Sequence, residues 1–320
     1  MSFSSGVKDE LSRHQTLARH CQIAEIAAII SMCGGVSISE KDHYSLKIQT
    51  ENVYVARKYF TLLKKAFNIE VEVSIRQGTF SKGSRTYTVA VLNHEDAIRI
   101  LKAARLFNAD MEIEEQFSIS DNLVIQKTCC RRAFIRGAFL TAGSISDPQK
   151  FYHFEIVCQD EAKAENLRDI IHTFQIDAKI VLRKKSYVVY VKEGAQIVDM
   201  LAIMEANVAL MNLENIRILK EMRNSVNRKV NCETANINKT VNAAVKQIED
   251  IRLIEQKKGF HNLNEGLAEI AELRLQYPEA TLKELGMMLN PQVGKSGVNH
   301  RLRKLSEIAD ELRMNEEDLL

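Results

Sequence analysis

The sequence predicts an α+β protein in which one mixed α/β unit is repeated and an all-α domain follows. Three observations carry that reading: self-similarity across the first half of the chain, a long stretch without proline or glycine after it, and capped amphipathic helices at the end. With 320 residues, 45% hydrophobic and 27% charged, the chain is long enough for two or three domains at ~100–200 residues each. The longest apolar run, around Ile23 to Val36, contains Glu25 and is shorter than the ~18 residues a membrane span needs. The start, MSFSSGVKDELSR, has no apolar segment behind its charges and does not read as a secretory signal, so a cytoplasmic chain is expected.

The repeat is legible by eye. Gly35 and Gly143 each follow a helical apolar stretch, AEIAAIISMCGGVSIS and RAFIRGAFLTAGSISD, at an offset of 108 residues. At that offset Tyr44 meets Tyr152, Leu46 meets Phe154, Ile48 meets Ile156, Ala56 meets Ala164, Leu62 meets Ile170 and Leu63 meets Ile171. Each unit reads as a helix ending in small residues, an alternating strand (YSLKIQT, YHFEIVC), a helix, a hairpin and a closing helix. The repeats span about 14–107 and 122–205, within a domain of residues 1–211. Gly34, Gly35, Ala142 and Gly143 have two readings: small residues at a close helix crossing, or a glycine stop in each repeat.

Cysteine spacing argues against metal. Six cysteines in a chain of this size are no disulfide framework, and none has C-x-x-C spacing, so zinc is not expected. The adjacent Cys129 and Cys130 are read as small buried hydrophobes rather than a redox switch. No cofactor is expected.

The second motif, IRGAFLTAGSI, resembles the LAGLIDADG homing endonuclease motif, in which two helices pack together and each supplies a metal-binding acid at its end. The positions aligned to that acid are Gly34 and Ala142, and the earlier aspartate is replaced by Met32 and Leu140. Neither glycine nor alanine has an oxygen for a hard divalent cation, so no metal-dependent phosphodiesterase is expected from them. The resemblance implies a sheet that lies against DNA. Here its hairpins carry Arg76, Lys82 and Arg85, then Arg183, Lys184 and Lys185, which either contact phosphates or protect strand edges.

From Asn212 to about Lys258 there is no proline, and glycine returns only at Gly259, so residues 212–262 are expected to form a connecting helix. Val226, Val230, Ile237, Val241, Val245 and Ile248 recur as one apolar stripe. Asn224, Asn227, Asn231, Asn238 and Asn242 form a second ladder, with Arg223, Arg228, Lys229, Lys239 and Lys246 beside it. Asparagine is a mediocre helix former, so the ladder implies a polar contact with nucleic acid, a facing domain or solvent. Asn224, Asn227, Arg228, Asn231 and Lys239 are the candidates for DNA contact.

Residues 263–320 read as a helix-turn-helix. LNEGLAEIAELRLQY stops before Pro278, and Thr281 with Glu284 makes a capping-box signature for TLKELGMMLN. Pro291 and Gly294 then break the pattern, and Ser296 is placed to cap the last helix. Val298, Leu302, Leu305, Ala309 and Leu312 face one way. Asn299, His300, Arg303 and Lys304, with Arg301 at the flank, form the opposite face that would enter a major groove, and together with Lys295 and Ser296 they are the candidates for DNA contact in this domain. A basic stretch from Thr281 to Leu305 followed by an acidic end from Ser306 to Leu320 fits a polyanion partner.

Together these parts are similar to the WhiA family of bacterial DNA-binding regulators, a degenerate LAGLIDADG domain joined to a helix-turn-helix. The similarity is carried by SFSSGVKDELSR, RRAFIRGAFLTAGSISDP, RNSVNRKVNCETANINK and GKSGVNHRLRKLSEIADEL. It implies a nucleoid-associated, non-catalytic transcription regulator with double-stranded DNA as partner, a protein co-regulator beside it, and roles in cell division, chromosome segregation or sporulation. Two alternatives are a nuclease with relocated metal ligands, which needs acids converging beside Gly34 and Ala142, and a protein-interaction scaffold, which needs an occluded His300–Lys304 surface.

Overall fold

The computed structural model describes residues 2–38, 43–77, 85–107 and 122–317, with side chains as far as 314. Lys82 and Asp318, and the side chains of Glu316 and Glu317, lie outside the described residues. The chain divides into two units, Met1–Lys220 and Glu221–Leu320.

Unit 1 opens with α1 (Phe3–Arg13), whose first turn is capped by the Ser2 hydroxyl accepting from the Ser5 N–H. The first repeat follows as α2 (Arg19–Cys33), β1 (Gly34–Ile38), β2 (Tyr44–Thr50), α3 (Val53–Phe67), β3 (Glu72–Gln77), β4 (Arg85–Val91) and α4 (His94–Ala103). After a 3-10 turn at Leu123–Ile125 the second repeats the order: α5 (Thr128–Ala142), β5 (Gly143–Ile145), β6 (Phe154–Cys158), α6 (Glu161–His172), β7 (Lys179–Arg183), β8 (Ser186–Val191) and α7 (Gly194–Met204). Each repeat folds one antiparallel sheet, in the orders β1-β2-β4-β3 and β5-β6-β8-β7. Alternation buries Leu46, Ile48, Val89 and Val91 in the first sheet and Phe154, Ile156, Val189 and Val191 in the second, each against its helices.

The sheets correct the sequence alignment. The small-residue helix ends continue directly into short strands, β1 and β5, which local periodicity does not separate from the helices. Gly34 closes α2 and pairs with Ile48; Gly143 closes α5 and pairs with Ile156. The central helices are therefore related by an offset of 109, while the strands after them keep 108, because the first repeat has one residue more between Gly34 and its partner Ile48 than the second has between Gly143 and Ile156. Gly34 corresponds to Gly143, and the residue corresponding to Ala142 is Cys33 rather than Gly34. Both glycines are helix stops: the chain turns so sharply from helix to strand that a Cβ at Gly34 would lie 2.6 Å from the Ile30 carbonyl oxygen, and one at Gly143 would strike Phe139.

The close helix crossing lies elsewhere. α2 and α5 pack together in the core, and a Cβ on Gly137 would stand 2.7 Å from the Glu25 carbonyl oxygen and 2.9 Å from the Ala28 methyl group. Ala28 and Gly137 are themselves an offset of 109 apart, so a small residue from each repeat sits at the crossing. Beside it lies a buried ion group. The Glu25 carboxylate is 3.2 Å from Lys58 Nζ and 3.3 Å from Arg136 Nε, and accepts from the Thr16 hydroxyl at 2.8 Å. Arg136 also donates to Glu205 at 2.6 Å and to the Met204 carbonyl at 3.1 Å. Each buried charge thus has an opposite charge and hydrogen bonds, without which its desolvation would be prohibitive.

The helix α8 (Asn207–Lys257) runs from unit 1 into unit 2, uninterrupted by proline or glycine. Unit 2 continues with a 3-10 turn at Phe260–Asn262, α9 (Glu265–Gln276), α10 (Leu282–Met288) and α11 (Lys295–Glu317). Its core gathers Ile251 and Ile254 from α8, Ile270 and Ala271 from α9, Leu285 from α10, Leu289 just beyond it, and Val298, Leu302, Leu305 and Ala309 from α11. Among the described residues no helix is long and apolar enough to cross a membrane.

Candidate nucleic-acid interface

Two helices and the turn between them set the geometry in unit 2. The Thr281 hydroxyl accepts from the Glu284 N–H while the Glu284 carboxylate accepts from the Thr281 N–H, so α10 begins at a complete capping box. Those bonds hold the Glu284 carboxyl below its ordinary range. The six residues from Leu289 to Gly294 fold back onto α10, where the Val293 N–H donates to the Gly286 carbonyl at 3.0 Å. Gly286 is required for that return, because a Cβ there would strike the Val293 carbonyl. The longer connection is thus a turn packed on its own helix, and α11 starts at Lys295. Ser296 is the second residue of α11 and not its cap: the Val298 N–H already bonds to the Gly294 carbonyl, which places the cap two residues earlier than Ser296.

The buried and exposed faces of α11 separate at helical spacing. Val298, Leu302, Leu305 and Ala309 are buried; Lys295, Ser296, Asn299, His300, Arg303 and Lys304 are exposed. The structure brings these six together on one solvent-facing surface. Arg303 also reaches Glu307 at 3.5 Å, an exposed pair of small energetic weight. Arg301 is different: half-buried, it donates from Nη1 to the Gly266 carbonyl at 3.2 Å and packs on that glycine, so it ties α11 to the start of α9.

Three positioning residues escaped the sequence reading. Arg274 is 3% exposed, donates to Gln247 at 3.1 and 2.8 Å and to the Ala280 carbonyl at 2.7 Å, and burial lowers its pKa. It joins α8, α9 and the turn before α10. Asp250 is fully buried and accepts from Arg313 at 2.6 Å, fastening α11 to α8; this bond and that to Asp310 raise the Arg313 pKa. Arg274 follows Ile270 and Ala271 at core spacing, a signal that could have marked it. Asp250 and Arg313 are 63 residues apart and no local pattern joins them.

Along α8, Asn224, Asn227, Arg228, Asn231 and Lys239 are all exposed. So are Val226, Val230, Ile237, Val241 and Val245, which makes the apolar stripe a surface feature. Only toward Ile248 does burial begin, where α8 enters the core of unit 2. In unit 1, Arg76, Arg85, Arg183, Lys184 and Lys185 are exposed on the hairpins, with Arg183 3.6 Å from Glu155. At the end of the central helices, Cys33 and Ala142 have no carboxylate. Cys33 donates its thiol to the Ile29 carbonyl, and burial pushes its pKa up to about 12.

Residues 19–107 match the WhiA N-terminal LAGLIDADG-like domain, residues 131–223 the WhiA LAGLIDADG-like domain and residues 226–309 the WhiA C-terminal HTH domain. The chain is 58% identical to the probable cell division protein WhiA of Lachnoclostridium phytofermentans, over 98% of this chain and 100% of that one. It is 50% identical to the protein of the same name from Alkaliphilus oremlandii, over 98% of each. Full-length WhiA of Thermotoga maritima, solved by crystallography, aligns with a TM-score of 0.60 at 25% identity, over 97% of this chain and 99% of that one.

Proposed function

The chain belongs to the WhiA family, and from that premise we propose that it is a DNA-binding transcription regulator acting in cell division, without catalytic activity of its own. The observation that carries this reading is the exposed face of α11. It offers charged and amide side chains in the first turns of a helix whose other face is buried.

In this reading residues 263–320 read DNA, 1–211 serve as the scaffold and 212–262 connect them. Ser296, Asn299 and His300 face base edges, while Lys295, Arg303 and Lys304 neutralise phosphates. Arg301 acts chiefly by holding α11 against α9. The ladder of Asn224, Asn227, Arg228, Asn231 and Lys239 supplies further polar contacts to DNA. Cys33 and Ala142 argue against hydrolysis, because hard divalent cations take oxygen ligands and neither side chain offers one. The exposure of His300, Arg303 and Lys304 favours DNA over a pure scaffold role. The family's relation to chromosome segregation and sporulation, a nucleoid location and a protein co-regulator belong to the same proposal.

The test is genome-wide occupancy of the full chain against an Arg303→Ala/Lys304→Ala variant, with salt-dependent affinity measured in vitro. The expected result is loss of specific peaks and a salt slope smaller by about one for each lost phosphate contact. Unchanged occupancy and slope in a folded variant would place recognition on another surface.

A further inference from the structure

We propose that the N-terminal ends of α2 and α5 form a tetrahedral Cys3His site for one zinc ion, clamping the two repeats together at the end opposite Cys33 and Ala142. The ligands are His20, Cys21, Cys129 and Cys130. Their ligating atoms all lie within 4.8 Å of one another, and among the described residues they are the one group of three or more His, Cys, Asp or Glu side chains gathered at metal-ligating distance. His20 Nδ1 is 3.2 Å from both Cys21 Sγ and Cys130 Sγ. Around a tetrahedral zinc with Zn–S of ~2.3 Å and Zn–N of ~2.1 Å, ligand atoms stand ~3.5–3.8 Å apart, so small side-chain rotations suffice.

The cluster follows from the internal symmetry. At the offset of 109 that relates the central helices, His20 corresponds to Cys129 and Cys21 to Cys130. Each repeat contributes one vicinal pair from the first turn of its central helix. The packing that brings Ala28 against Gly137 also brings these two pairs together. Such a site has no C-x-x-C signature, because its two halves are more than a hundred residues apart; the expectation of no zinc ligands rested on local spacing alone.

Burial raises the pKa of the Cys21 and Cys130 thiols, a cost that metal binding offsets by coordinating the thiolates. Lys127 adds a charge that opposes this at Cys130, the smallest of the effects there. Cys21 and Cys130 are buried while His20 and Cys129 are exposed, which gives a metal both a dry side and an entry path. Binding releases three thiol protons to solvent and leaves three thiolates, a neutral imidazole bound through Nδ1 and Zn²⁺, a net charge of −1 on the cluster. Three sulfurs and an imidazole select zinc over Mg²⁺ or Ca²⁺, which take oxygen.

The probe is Co²⁺ alone, added to the reduced full chain after treatment with a chelator. The expected result is one Co²⁺ per chain, with thiolate-to-cobalt charge transfer and the strong visible bands of a tetrahedral ion, both abolished by one equivalent of Zn²⁺. His20→Ala and Cys129→Ser alter exposed side chains and leave the core filled. Each should weaken binding by more than the ~10–100-fold that loss of an outer-shell partner costs. Cys129→Ser should also reduce the charge-transfer intensity in step with the lost thiolate, and Cys232→Ser should change nothing. Chelation should lower the melting temperature of the parent but not of Cys129→Ser. A folded parent chain without the charge-transfer band would overturn the site, as would undiminished bands in both single variants or thiols recovered as a disulfide under the same reducing conditions.

Discussion

The helix pair α2/α5 in unit 1 and the pair α10/α11 in unit 2 solve the same packing problem with opposite use of charge. Each depends on a glycine where backbones come close, Gly137 of α5 against the Glu25 carbonyl of α2 and Gly286 of α10 against the Val293 carbonyl of the turn that leads into α11. Around α2/α5 the charged groups Glu25, Lys58 and Arg136 point inward and satisfy one another. On α11 the charged groups near the turn point outward, and the positioning is left to Arg274, Arg301 and the Asp250–Arg313 pair. Basic residues on a helix therefore signify little by number; burial separates those that build a scaffold from those free to meet a polyanion.

The contrast is tested most severely at Glu25. Replacing it with Leu takes the carboxylate from buried Lys58 and leaves Arg136 with Glu205 alone, and should cost unit 1 ~3–5 kcal/mol in denaturant unfolding. A loss below ~1 kcal/mol would mean the inward group is not what holds the pair. Gly137→Ala comes next: the crossing must open, at ~1–3 kcal/mol for overpacking. On the other side, Arg303→Ala should leave the melting temperature unchanged while DNA affinity falls, by ~1–3 kcal/mol if it contacts a base or with a salt slope smaller by about one if it contacts a phosphate. A stability loss there as large as at Glu25 would erase the distinction. Thr281→Ala removes the cap of α10 and should cost ~1 kcal/mol in unit 2 without changing the salt slope.

The smallest effect concerns pH. Burial, and then the charge of Arg136, lower the His14 pKa below its ordinary 6.5, although Glu205 opposes them. A folded pKa below the unfolded one means the fold favours the neutral ring, so this contribution is complete above about 6.5 and is lost as pH falls through that value toward the folded pKa. Unit 1 should melt lower at pH 5 than at pH 7.5, and His14→Gln should flatten part of that slope while unit 2 is unaffected. An identical slope in the variant would assign the titration to another group.

The sequence by itself determined the elements and their repetition. Alternation in YSLKIQT and YHFEIVC, the capping box at Thr281 and Glu284, and the apolar spacing of α11 depend on neighbours within a few residues, and side-chain periodicity records those directly. It also separated the two faces of α11. Only the tertiary structure decided what depends on distant partners. The strand pairing of Gly34 and Gly143 set the true offset and aligned Cys33, not Gly34, with Ala142, a one-residue shift that self-comparison cannot see when an insertion follows within ten residues. The Asp250–Arg313 bond, the burial of Arg274, the exposure of the α8 stripe and the meeting of His20 and Cys21 with Cys129 and Cys130 follow from which surfaces pack together. Packing is a property of the whole chain, and a local pattern limits it without choosing among its solutions.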